Sequence, residues 1–146
     1  MIKGILQNPS VVLISRIILG ALFVYAAIDK IIHPLAFAQL IHHYRITPPE
    51  LINYIAIAMP WIEFFTGVLL IIGYKAKGSN LLIGAMLIFF IVLLTVTATR
   101  GINVSCGCFS TSTAVKSNLV IRIIEDIGML LLSLHIFLFY KKKPKP

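Results

Sequence analysis

Four runs of this 146-residue chain are long and apolar enough to cross a bilayer, and they constrain its fold more than any other feature. A spanning helix needs about 20 mostly apolar residues, because hydrocarbon offers the backbone no water to bond. Val11–Ile32 is the first run, interrupted by Arg16 and closed by Asp29-Lys30. Leu51–Gly73 is the second, with Pro60 and Glu63 inside it. Leu81–Thr99 is the third and the least interrupted; Leu119–Tyr140 is the fourth, with Arg122, Glu125 and Asp126 in its first two turns. Together they take more than half of the chain and leave no room for a separate soluble domain. The expected fold is therefore all-α: an integral membrane four-helix bundle, one domain over residues 1–146. Composition agrees. Only 12% of the residues are charged and 59% are hydrophobic, against about 25% charged in a typical soluble domain. That balance excludes a disordered chain, a nucleic-acid binder of ordinary composition and almost any soluble enzyme.

The connections carry their own punctuation. His33-Pro34 ends the first run and Pro48-Pro49 ends the loop that follows. Inside that loop Phe37, Leu40, Ile41 and Tyr44 recur at helical spacing, which predicts a short amphipathic helix in the membrane interface. Tyr74-Lys75-Ala76-Lys77-Gly78 reads as a tight turn, with Ser79 or Asn80 capping the third span and Ser117 or Asn118 the fourth. Ala36-Phe37-Ala38 has the small-x-small form of a signal-peptidase site. The preceding run is longer than a usual signal-peptide core and contains Arg16, so the first span is read as retained.

Four spans put both termini on one side, with the loop between spans two and three. That side holds Lys3, Lys75, Lys77, Lys141, Lys142, Lys143 and Lys145 and no acid. The other side has Arg45, Arg100 and Lys116 with Glu50. The positive-inside rule then predicts cytoplasmic termini in a bacterial inner membrane, with loops 33–50 and 100–118 in the periplasm.

The only cysteines, Cys106 and Cys108, lie in the second of those outward loops, as Ser105-Cys106-Gly107-Cys108-Phe109-Ser110. The periplasm favours disulfides. Residues two apart are close enough to bridge in many backbone conformations, and Gly107 supplies the dihedral freedom a small ring requires. Such a bridge stabilises little by loop closure, and strained, exposed disulfides have more oxidising potentials. That favours thiol exchange over stapling. A local structural bridge and a pair of reduced thiols are the plainer readings. A metal site with His33, His42 or His43 is a third, but Cys-x-Cys is less typical of structural zinc than Cys-x-x-Cys, and no metal is assigned.

Ionisable residues in a span are costly and by default functional or paired. Arg122, Glu125, Asp126, Met129 and Ser133 follow a helical stripe expected to face the bundle interior, with Arg122 able to pair with Asp126. Asp29, Lys30, Arg100, Arg122, Glu125 and Asp126 then form one layer beneath the thiols. Lys30, Arg100 and Arg122 would raise the thiolate fraction of a neighbouring cysteine, and Glu125 or Asp126 would relay its proton. The plainer reading is a salt-bridge network tying the helices together. Glu63, the deepest acid, is expected to pair with Arg16 or to serve a quinone or proton site.

These motifs resemble a known family. Arg16-x-x-x-Gly20-x-x-Phe23 with Lys30 and Pro34, and Pro60-x-x-Glu63-x-x-x-Gly67, resemble the first two helices of DoxX-like membrane proteins. Cys106-Gly107-Cys108-Phe109 before an acid-bearing fourth helix resembles the MauE branch, the methylamine-utilisation membrane proteins, which commonly have glycine where this chain has Ser110. The resemblance covers nearly the whole chain. It implies a four-helix bundle in the bacterial inner membrane, linked to maturation of methylamine dehydrogenase, a disulfide-rich periplasmic enzyme.

The expected function is a membrane thiol–disulfide oxidoreductase or maturation factor. Cys106 and Cys108 would exchange with a periplasmic thioredoxin-like protein or client enzyme, and a membrane quinone is the candidate electron carrier. A relay usually has a second cysteine pair, and this sequence has none. The alternatives are a non-catalytic membrane assembly subunit, or a small transporter using the buried charges. Lipid is the expected surrounding partner and nucleic acid is not expected.

Overall fold

A computed structural model describes Gly4, residues 7–101 and residues 119–140. Among the described residues the elements are helices: α1 (Pro9–Ile32), α2 (Pro34–His43), α3 (Pro49–Ile72), α4 (Ala76–Thr99) and α5 (Leu119–Phe139). Proline sets three of the starts. Pro9, Pro34 and Pro49 stand in the first turns of α1, α2 and α3, where a missing N–H costs nothing. Asn8 caps α1, its side-chain oxygen accepting from the Ser10 N–H at 3.1 Å. α3 ends at Gly73, whose left-handed φ of 85° lets its N–H return to the Leu69 carbonyl at 3.0 Å.

α1, α3 and α4 are long and apolar enough to cross a membrane, by length and composition. α5, at 21 residues, is more heavily charged in its first two turns and packs along the bundle beside them. The protein is an all-α, multi-pass membrane protein. Its surface and interior are inverted relative to a soluble domain. Large apolar side chains such as Ile14, Ile32, Ile57 and Phe89 face outward, while Arg16, Lys30, Glu63, Asn80, Asp126 and Ser133 are buried. Lipid solvates the first set as well as a core would; only a bundle interior can supply partners for the second.

Two crossings hold the long helices together. Gly20 of α1 meets Gly67 of α3 so closely that a Cβ on Gly20 would fall 2.8 Å from the Gly67 carbonyl oxygen. Arg16 lies against the end of α3 while Gly20 lies against Gly67, so the two helices run antiparallel. α4 and α5 are joined by Asn80, whose Nδ2 donates to the Ser133 carbonyl at 2.8 Å, and by Ser133, whose hydroxyl donates back to the Asn80 carbonyl at 3.3 Å. α2 exists where the spacing predicts it: Phe37, Leu40, Ile41 and Tyr44 are buried, with Phe37 and Ile41 packed on Ile52 and Ala56 of α3.

The start of α4 differs from expectation. Neither Ser79 nor Asn80 is a cap. α4 begins at Ala76, after Lys75 in a left-handed conformation (φ 47°), and both residues lie buried inside it. The apolar run begins at Leu81, but the helix extends beyond it because Lys77 faces outward while Ala76 and Asn80 pack inward. The expected cap at Ser117 or Asn118 lies outside the described residues.

Candidate functional site

The chemistry-bearing residues of the helices converge on one buried cluster. Lys30 of α1 and Glu63 of α3 form an ion pair, with Nζ donating to Oε2 at 2.7 Å and to Oε1 at 3.0 Å; both side chains are 2% exposed. The rings of Phe37 and Phe90 lie 5.4 and 5.5 Å from Nζ, within cation–π range. Asp126 of α5 is also 2% exposed and lines the same small cavity as Lys30 and Glu63, with Phe23, Leu87 and Met129. Its Oδ2 is buried and has no hydrogen-bond partner among the described residues.

The expected Arg16–Glu63 pair does not form; the direction of helical side chains explains why. In a helix each side chain leans toward its own N-terminus. In an antiparallel pair, Lys30 near the end of α1 and Glu63 in mid-α3 therefore lean toward each other. Arg16 leans the same way as Lys30, but from its place nearer the start of α1 that direction leads away from Glu63, toward the C-terminus of α3. There its Nε donates to the Leu70 carbonyl at 2.9 Å and an Nη to the Ile71 carbonyl at 3.0 Å, satisfying oxygens that the end of a helix leaves open. Gly73 leaves room for it: a Cβ there would fall 2.6 Å from the guanidinium. Tyr140 covers its face at 5.5 Å.

The stripe on α5 divides. Asp126, Met129 and Ser133 face inward, followed by Ile136, whereas Glu125 is exposed and Arg122 lies between. Arg122 accordingly pairs with Glu125, Nη1 to Oε2 at 2.9 Å, rather than with Asp126. Of the expected six-residue layer, Lys30 and Asp126 meet at one cavity, and Arg122 and Glu125 line a groove beside it with Leu22 and Met129. Asp29 is half-buried near the end of α1, and Arg100 is exposed at the end of α4. Cys106 and Cys108 lie outside the described residues, as do Ser110 and Lys116. Among the described residues no group of three His, Cys, Asp or Glu is arranged to hold a metal ion.

The family model described as methylamine utilisation protein MauE matches residues 8–139, which takes in all five helices and the cysteine-bearing segment. The chain belongs to this family. The MauE protein of Paracoccus denitrificans is 30% identical over 105 residues, 71% of this chain and 56% of that protein. The Methylorubrum extorquens MauE is 30% identical over 110 residues, 75% of this chain and 59% of that protein. That of Methylophilus methylotrophus is 19% identical over 135 residues. The chain thus spans less than two thirds of the length of the first two relatives. No solved structure matches it. Within this MauE-family bundle, sequence reasoning assigned Glu63 the wrong partner and gave Asn80 only a capping role. The heading of each side chain along antiparallel helices was the readable signal for the first; an amide inside an apolar period was the signal for the second.

Proposed function

We propose that this MauE-family protein carries out thiol–disulfide exchange at Cys106-Gly107-Cys108, in the service of maturing a disulfide-containing client in methylamine utilisation. The observation that carries this reading is that the only two cysteines of the sequence stand one residue apart, in the segment joining α4 to α5. Arg100, at the end of α4, and Arg122, in the first turn of α5, flank that segment and supply cations that favour thiolate. In the exchange, a thiolate of one partner attacks the disulfide of the other through a mixed disulfide. One dithiol becomes a disulfide and the other disulfide becomes a dithiol, two electrons and two protons passing between them. The proposed setting is the bacterial inner membrane, with the cysteine segment on the periplasmic side and a thioredoxin-like protein or the client as partner.

Glu63 does not serve a quinone in this reading. Its cavity of ≈ 20 Å³ is far below the roughly 300 Å³ of even a small ligand pocket, and Lys30 already satisfies its carboxylate. No electron step is routed through that group. The second half-reaction belongs to a partner's thiols. A second reading, a non-catalytic assembly subunit, draws support from Lys30 and Arg16, whose buried polar contacts among the described residues join helices of the bundle.

Replacing each cysteine by serine in the full chain separates the two. Exchange predicts loss of client maturation with unchanged membrane insertion, and a mixed disulfide trapped in the single variant that retains the attacking thiol. Full maturation by the double Cys106→Ser, Cys108→Ser protein would exclude exchange and leave the assembly role.

A further inference from the structure

The cavity between Lys30, Glu63 and Asp126 carries a second inference, independent of the thiol reading. Its ≈ 20 Å³ exceeds the roughly 10–15 Å³ that one water molecule needs, and it is bordered by three polar side chains, within the two to four partners a buried water takes. The charges facing Asp126 are Lys30 from α1, Glu63 from α3, and Arg122 and Glu125 from its own helix; α4 contributes apolar Leu87 and Phe90. Lys30 is matched by Glu63 and Arg122 by Glu125, which leaves Asp126, among the described residues, as the buried acid of this set with no ion-pair partner of its own. An unbalanced charge in a bundle interior is strongly disfavoured. One ammonium and two carboxyls are neutral together when they hold a single proton between the two acids.

We infer that Lys30, Glu63 and Asp126 form a one-proton exchange site bridged by a single water. With the proton on Asp126, its carboxyl O–H donates to the water, which also accepts the remaining N–H of Lys30 and donates to Glu63. In the exchange step the proton leaves the Asp126 carboxyl for the water as the water passes one of its own to Glu63. Asp126 becomes the carboxylate, Glu63 the acid, and the water is regenerated. Lys30 stays charged throughout, and the three side chains together remain neutral. The two carboxyls then titrate as one unit. The bundle thereby holds one proton ready for exchange between α3 and α5.

Infrared spectroscopy of the full chain in lipid nanodiscs at neutral pH tests this. The wild type should show one protonated-carboxyl stretching band that shifts in D2O. Asp126→Asn should abolish it, because Glu63 is then the counter-ion of Lys30. Glu63→Gln should abolish it equally, because Asp126 takes over that role, and Lys30→Met should double its intensity. Absence of the band from the wild type overturns the inference without any variant. Survival of the full band in Glu63→Gln also overturns it, since the proton would then belong to Asp126 alone. An unchanged band in Lys30→Met does the same, since the proton count would not follow the charge of the site.

Discussion

At the scale of single residues, a buried charge in this protein is tolerable only with its partners in place. Removing one side of a buried ion pair is far more damaging than removing both, because the survivor keeps its desolvation cost without its compensation. The double variant Glu63→Gln, Asp126→Asn strands Lys30 in the interior without a counter-charge. It should lose about 3–5 kcal/mol in equilibrium unfolding in detergent micelles. Lys30→Met with Glu63→Leu removes the pair together and should cost less than about 1.5 kcal/mol, as for volume-conserving apolar swaps. Equal losses in the two doubles would mean that the pair has no electrostatic role. Arg16→Gln removes the bonds to the Leu70 and Ile71 carbonyls and should cost about 1.5–3 kcal/mol, the range for a hydrogen bond to a charged group.

Between elements, backbone approach matters more than side-chain bulk. Gly20 and Gly67 press α1 against α3, and a methyl at either meets the other's carbonyl oxygen, which cannot swing away, as well as a side chain, Ile71 at Gly20 and Val24 at Gly67. Gly20→Ala and Gly67→Ala should each destabilise by about 1–3 kcal/mol, the usual cost of overpacking. Gly128 on α5 has open space where its Cβ would go, so Gly128→Ala should stay within about 0.5 kcal/mol of wild type. Thermal unfolding of the three variants side by side checks the contrast, and similar shifts in all three would exclude the close crossing as its source. These elements were largely legible in the sequence. Pro9, Pro34 and Pro49 mark helix starts, the apolar runs give the spans to within a few residues, and Phe37, Leu40, Ile41 and Tyr44 mark the buried side of α2. The start of α4 was not legible, because Ser79 and Asn80 look like caps to a local rule. Only packing against Ser133, 53 residues away, turns Asn80 into an interior hydrogen-bond donor. Glu63 was legible as important but not as the partner of Lys30, since periodicity gives a residue's face and not the slant of its side chain.

For the molecule as a whole, the arrangement is a lipid-facing apolar shell around an interior that also houses the buried polar groups. In the proposed orientation Lys75 and Lys77 share the cytoplasmic side with both termini, and Cys106 and Cys108 face the periplasm. A membrane-impermeant maleimide should label the reduced cysteines in spheroplasts and not in sealed inside-out vesicles. Labelling only in the vesicles would invert the orientation and remove the oxidising compartment that the exchange reading requires. The most direct test of that reading is the redox equilibrium of Cys106 and Cys108 themselves. The full-length protein in nanodiscs is equilibrated with thiol–disulfide buffers of graded potential and then alkylated to count free thiols. An exchange-active pair should convert reversibly between disulfide and dithiol at a potential more oxidising than about −300 mV, above the range of structural disulfides. A pair that stays oxidised to lower potentials, or that never forms a disulfide in the most oxidising buffer, would contradict thiol exchange as the function.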